Sequence, residues 1–118
     1  PLALDALREA AIAKAGLREF GDEAFFQPLT ALLQSLDAEA RLSAAGRQGQ
    51  FNRIVDLLAN RLRVEHWLRR YREIRDEHLA PPLVIVGLMR TGTTLLHRLL
   101  ACDPRFHALL WYESRFPA

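Results

Sequence analysis

The chain has 118 residues, half of them hydrophobic, which is enough to bury the core of one ordinary domain. Its formal net charge of +2 is too small to indicate, by itself, a nucleic-acid or membrane-surface partner. No run of apolar residues is long enough to span a bilayer. The single cysteine, Cys102, excludes an internal disulfide bond and favours a reducing, cytoplasmic location.

The sequence up to residue 80 predicts a helical N-terminal region. Apolar residues recur at helical spacing over residues 2–15, and Gly16 is a suitable C-terminal stop. A second helix is predicted to begin near Asp22, a candidate N-cap residue, and to carry the apolar positions of Phe25–Leu36.

The third predicted helix is the longest, roughly from Gln50 to Arg75, after a predicted loop at Ser43–Gly49. Its last part, Arg61–Arg75, holds six arginines. We interpret them as a solvated helix face on which arginine stems cover apolar surface, and a contact with a partner or nucleic acid is the alternative. Pro81-Pro82 then ends the helical region and marks a domain boundary.

The pattern changes after these prolines. Leu83–Val86 is a short, mostly β-branched run, typical of a strand buried on both faces of a parallel sheet. The loop Gly87–Thr94 and leucines at helical spacing over Leu95–Leu100 follow, and His107–Trp111 is a candidate second strand. We therefore predict an α/β fold with a P-loop-type parallel sheet and flanking helices, which begins within residues 81–118. Because such a sheet needs several strands, we expect the chain to be the N-terminal piece of a longer protein.

The loop from Gly87 to Thr94 carries the chemistry. Its glycines have the G-x-x-x-x-G spacing of a phosphate-binding loop, in which converging backbone N–H groups and the next helix hold an anion. Thr93 stands where a nucleotide triphosphatase places its lysine, and the cation is instead Arg90, on the other side of Gly92. This position favours a different anion, and a P-loop kinase or nucleotide hydrolase with a degenerate loop is the alternative.

The segment Pro82–Pro117 resembles the sulfotransferase family, whose sulfate donor is 3′-phosphoadenosine 5′-phosphosulfate. Met89-Arg90-Thr91-Gly92-Thr93-Thr94 is similar to the family's loop, which places a lysine or arginine and a hydroxyl residue before the glycine and two hydroxyl residues after it. Met89 stands where proline is commoner. The longer string VGLMRTGTTLLHRLLACDP, followed by Trp111 and Glu113, resembles a bacterial branch with a helical N-terminal region, and residues 1–80 resemble that region more loosely.

This resemblance implies a role for each site residue. Arg90 pairs with the 5′-phosphosulfate and stabilises the charge that develops on the bridging oxygen. The residues expected to cradle the same group are Thr91, Gly92, Thr93 and Thr94. Glu113 is the expected general base for the acceptor's proton, and His107 is its rival because other branches use histidine. The histidines, the cysteine and the carboxylates show no metal-ligand spacing, so we expect no metal.

The expected function is therefore transfer of a sulfuryl group to the hydroxyl or amine of a small or lipid-like acceptor, which the sequence does not identify. A non-enzymatic binding module that uses the Arg-rich helix is a further alternative. A nucleic-acid partner and a membrane span are not expected, and a homo-oligomer is compatible with the sequence. Since the family's 3′-phosphate-binding residues lie further along the chain, we expect the 118-residue piece by itself to be inactive.

Overall fold

The computed structural model describes residues 2–117. They form two compact units, residues 2–75 (the helical unit) and residues 76–117 (the loop unit). None of the helices in this range is both long and apolar enough to cross a membrane. The domain boundary that the sequence places between residues 80 and 81 stays a prediction. The helices are α1 (Leu4–Ala15), α2 (Phe26–Ala38), α3 (Ala44–Arg70), α4 (Glu73–Asp76), α5 (Thr93–Leu100) and α6 (Trp111–Arg115).

Helix α1 confirms the first predicted helix and its predicted stop. Gly16 adopts a left-handed conformation with φ 68°, and its N–H donates to the Ile12 carbonyl at 2.8 Å. Glycine adopts this conformation at little cost because it has no Cβ. Asp5 in the first turn and Lys14 in the last turn complement the helix dipole.

Helix α2 begins at Phe26, later than the predicted start near Asp22. The Asp22 carboxylate accepts the Ala24 N–H at 2.9 Å, so it closes a turn ahead of the helix and does not cap the helix itself. Pro28 lies in the first turn, where its missing N–H would have no helical partner. The predicted helix is confirmed, and its predicted N-cap is wrong.

Helix α3 begins earlier and ends earlier than predicted. Ser43 is its N-cap, with the Ser43 hydroxyl oxygen accepting the Gly46 N–H at 3.1 Å. The predicted loop at Ser43–Gly49 is therefore wrong. A serine cap contributes about 1 kcal/mol, which offsets about half of the roughly 2 kcal/mol that Gly46 and Gly49 together cost inside the helix. The helix stops at Arg70, and α4 follows as a separate single turn.

The core of the helical unit lies between α1 and α3. Leu7 and Ala11 of α1, and Ala59 and Leu62 of α3, have no exposed surface. Each pair occupies one face of its helix because residues three or four positions apart lie on the same face. Phe20, from the connection between α1 and α2, belongs to the same cluster. Burial of this apolar surface is the main force that holds the helices together.

Arg61 fastens the connection between α1 and α2 to helix α3. Its Nε and Nη2 atoms donate to the carbonyl oxygens of Phe20 and Asp22, both at 2.8 Å. Its guanidinium also lies 4.2 Å from the centre of the Phe25 ring, within cation–π distance. These contacts satisfy carbonyl groups in a segment that has no regular structure to pair them.

No strand is present in the described residues 2–117, so the predicted parallel sheet is not confirmed. Leu83–Val86, which the sequence predicts as a buried strand, is chain without regular structure. Val84 and Val86 are 70% and 88% exposed. A strand of a parallel sheet needs neighbouring strands to pair its backbone groups, and this range supplies none.

The candidate second strand at His107–Trp111 is wrong. Residues 106–110 have no regular structure, and α6 begins at Trp111. The Glu113 carboxylate accepts the Leu110 N–H at 2.7 Å. This bond satisfies an amide that has no partner at the start of a helix and thereby stabilises the helical conformation. Glu113 therefore lies on a helix and not at the end of a strand.

The substitution Leu62→Ala is expected to lower the free energy of unfolding of the helical unit by about 2–5 kcal/mol, because a fully buried leucine leaves a cavity. Leu57→Ala is the matched control on the same helix: Leu57 is 47% exposed, and its loss should cost about 1 kcal/mol or less. Urea denaturation followed by circular dichroism measures both. Equal losses would show that the contact between α1 and α3 is not the core.

Candidate active site

The loop after Leu83–Val86 turns directly into helix α5. Arg90 and Gly92 have positive φ angles of 64° and 88°, and Thr91 between them does not. Positive φ angles that alternate with negative ones are a feature of the backbone nests that bind anions in other proteins. A positive φ is uncommon for arginine, and such backbone strain is concentrated at functional loops.

The two glycines of the motif are needed for different reasons. A Cβ atom on Gly87 would lie 2.8 Å from Cγ2 of Thr93 and 2.9 Å from Oγ1 of Thr91, too close for either contact. Around Gly92 there is open space, but its φ of 88° would strain any other residue. Glycine at position 87 therefore permits the close approach of Thr91 and Thr93 to the backbone. Glycine at position 92 permits a positive φ angle.

Helix α5 starts where the loop ends. Gly92 is its N-cap residue, and no side chain caps the helix. The first N–H groups of a helix have no partner within the helix, and they lie at the positive end of its dipole. The start of α5 thus adds N–H donors to those of the loop, which is a general arrangement for binding phosphate-like anions.

An open cavity of about 500 Å³ lies at this junction. Two of its lining residues carry positive charge and none is a carboxylate, so the cavity suits an anionic ligand. The lining residues are Arg90, Gly92, Thr94, Leu95 and Arg98.

Thr91 and Thr93 do not line this cavity. The Thr91 hydroxyl donates to the Leu88 carbonyl at 2.6 Å, so its proton is used inside the loop. The Thr93 methyl group lies close to Gly87. Among the predicted donor-binding residues, Arg90, Gly92 and Thr94 are brought together at the cavity, whereas the side chains of Thr91 and Thr93 shape the loop.

The two candidate bases are neighbours. Oε2 of Glu113 accepts the Leu110 N–H, and Nε2 of His107 lies 3.9 Å from the same oxygen. Glu113 is 31% exposed at its side chain and His107 is 83% exposed. Neither residue lines the cavity at the loop. Within residues 2–117, no group of histidine, cysteine or carboxylate side chains has an arrangement that could hold a metal ion.

Sequence reasoning missed two of the cavity residues, Leu95 and Arg98. Arg98 lies four positions after Thr94, so both residues fall on the same face of α5. That spacing was readable from the sequence, but which face of the helix borders the loop was not.

Comparison with known proteins agrees with these observations. Residues 81–117 match the sequence profile of the sulfotransferase family. A crystal structure of a sulfotransferase from Mycobacterium tuberculosis is similar over 98% of the chain, with a TM-score of 0.86 and 32% sequence identity. The chain covers 32% of that protein's length. No curated protein sequence gives a significant match.

The sulfotransferase family indicated by the loop motif is therefore confirmed. The similarity includes the helical unit as well as the loop unit, since it extends over nearly the whole chain. The helices described above have the fold of part of a sulfotransferase.

The substitution Gly87→Ala is expected to displace Thr91 and Thr93, because the added Cβ has no room between them. Amide chemical shifts in a two-dimensional NMR spectrum should change from residue 87 through the start of α5. Gly49→Ala is the matched control: it lies inside α3 with open space around it, and it should stabilise the helix by about 0.5–1 kcal/mol. Shift changes confined to the immediate neighbours of residue 87 would contradict the close approach.

Proposed function

We propose that the protein transfers a sulfuryl group from 3′-phosphoadenosine 5′-phosphosulfate to a hydroxyl or amine acceptor. The observation that carries this proposal is the cavity where the loop meets α5, which has arginine side chains and no carboxylate in its lining. A tetrahedral oxyanion needs N–H donors and positive charge, and the loop backbone, the start of α5 and Arg90 supply both.

Arg90 is the proposed electrostatic catalyst. In the reaction, an acceptor lone pair forms a bond to sulfur while the bond from sulfur to the 5′-phosphate oxygen breaks, and negative charge grows on that oxygen. The Arg90 guanidinium stabilises this charge, and Thr91, Gly92, Thr93 and Thr94 hold the group through the loop and the start of α5. Thr94 and Gly92 line the cavity directly.

Glu113 is the proposed general base. One of its carboxylate oxygens, Oε2, is fixed by the Leu110 N–H at 2.7 Å, so the carboxylate is held in a defined position. The other oxygen, Oε1, remains to accept the proton that the acceptor releases. His107 is the alternative base, and its position 3.9 Å from Glu113 Oε2 puts both candidates at one place in the loop unit.

The proposal also covers the acceptor, the metal requirement and the location of the protein. We propose a small or lipid-like acceptor, no metal requirement and a cytoplasmic location, the last because of the single cysteine. These elements rest on the sequence and on the family.

Two other functions have less support. A kinase or nucleotide hydrolase needs a lysine after the second glycine to reach the outer phosphates, and Thr93 occupies that position. A binding module that uses the Arg-rich helix would need its arginines free. Arg61 and Arg69 are instead engaged within the helical unit, by the Phe20 carbonyl at 2.8 Å and by Glu19 at 3.0 Å.

Isothermal calorimetry with the full protein separates these functions. Adenosine 3′,5′-bisphosphate, the product that keeps both phosphates of the donor, should bind at least about tenfold more tightly than ATP with Mg²⁺, since the site lacks the triphosphate lysine. Tighter binding of ATP with Mg²⁺ would remove the sulfotransferase proposal. Salt-sensitive nucleic-acid binding that ignores loop substitutions would support the binding module.

The substitution Glu113→Gln should leave binding of the bisphosphate unchanged and lower turnover by about 10²–10⁴-fold, because it removes the proton acceptor. Turnover is measured with a radiolabelled donor and a panel of alcohols and amines. Glu77→Gln, at an exposed position of the same unit, is the control and should keep full turnover.

His107→Gln decides between the two candidate bases. If Glu113 is the base, His107→Gln keeps most of the turnover. If turnover collapses in His107→Gln and survives in Glu113→Gln, the base is His107 and the assignment of Glu113 is wrong.

A further inference from the structure

Arg98 is a charged side chain of the cavity for which the proposed reaction has no role. It lies on α5 four residues after Thr94 and borders the same cavity as Arg90. The cavity's volume of about 500 Å³ falls within the range of small-molecule sites, roughly 300–1,000 Å³.

The charges of Arg90 and Arg98 are uncompensated. Neither guanidinium takes part in an ion pair within the described residues 2–117. Elsewhere in the loop unit, Arg105 forms a two-pronged pair with Asp103, at 3.0 Å and 2.6 Å. That pairing lowers the pKa of the Asp103 carboxyl below its ordinary value. Two like charges that share one cavity repel each other, and an anion between them would remove this cost.

The direction of the side chain fits a shared ligand. Side chains of an α-helix tilt toward its N-terminus, so a residue covers the turn that precedes it. Arg98 therefore extends back over Thr94 and Leu95 toward the loop, which agrees with the lining of the cavity. An arginine that lines the same cavity as Arg90 is placed to contact the same anion.

We propose that Arg98 is a second donor-binding arginine, which grips the 5′-phosphate end of the sulfate donor together with Arg90. This inference rests on the proposed function. Charge-assisted hydrogen bonds from guanidinium groups are about twice as strong as neutral ones, and two arginines hold an oxyanion in a fixed orientation. Arg98 thereby contributes to the orientation of the donor for transfer.

The test is a calorimetric comparison of Arg98→Gln with the unmodified full protein. Binding of adenosine 3′,5′-bisphosphate should weaken by about tenfold or more. Binding of adenosine 3′-monophosphate, which lacks the 5′-phosphate, should change by less than about twofold. Arg98→Lys should recover part of the affinity because it keeps the charge but not the fork of donors. Arg53→Gln, an exposed arginine of α3, is the matched control and should have no effect.

Each outcome bears on a different claim. If the unmodified protein does not bind the bisphosphate, the proposed function fails before Arg98 is tested. If it binds and Arg98→Gln binds equally well, the inference about Arg98 is wrong and the function stands. Equal weakening for both nucleotides would also overturn the inference, because Arg98 would then act away from the 5′ end. Circular dichroism confirms that each variant remains helical, which the exposed position of Arg98 leads us to expect.

Discussion

The close approach of the backbone at Gly87 to Thr91 and Thr93 is the constraint on which the candidate site depends. With no side chain at Gly87, the loop closes tightly enough to enter α5 directly after Gly92. This closure places Arg90, the start of α5 and the cavity at one point. Glycine at position 87 therefore allows the loop conformation of the candidate site. Arg90 adds the positive charge within that loop.

The helical unit is held by a different kind of force. The contact between α1 and α3 buries small and branched apolar side chains with no exposed surface, among them Leu7 and Leu62. Arg61 then fixes the segment between α1 and α2 by bonding to its carbonyl groups. Apolar burial supplies most of the stability of the helical unit. The hydrogen bonds of Arg61 hold the segment between α1 and α2, which has no regular structure, in one conformation.

The loop unit shows the opposite balance. Large apolar side chains of Leu83–Val86 and of α5 are exposed, including Leu83, Leu95 and Leu99, each at 60% or more. The exposure of these side chains and the absence of a sheet in residues 2–117 have one cause. A parallel strand is stabilised by pairing with neighbouring strands and not by its own sequence alone. The apolar run Leu83–Val86 predicts a strand, and residues 2–117 supply no neighbouring strand to pair with it. The sequence of Leu83–Val86 indicates a preference for strand conformation. It does not indicate which strands would pair with this segment.

The sequence by itself determined the features that depend on near neighbours: α1 with its stop at Gly16, the existence of α2 and α3, and the loop motif whose family the comparisons confirm. It misjudged the Ser43 cap, where a loop was predicted, because a cap and two glycines give opposing local signals of similar size. Only the tertiary structure decided that Arg98 shares a cavity with Arg90 and that His107 lies beside Glu113. The physical reason is that spacing fixes which residues share a helix face, whereas the direction of that face depends on how the chain turns before it.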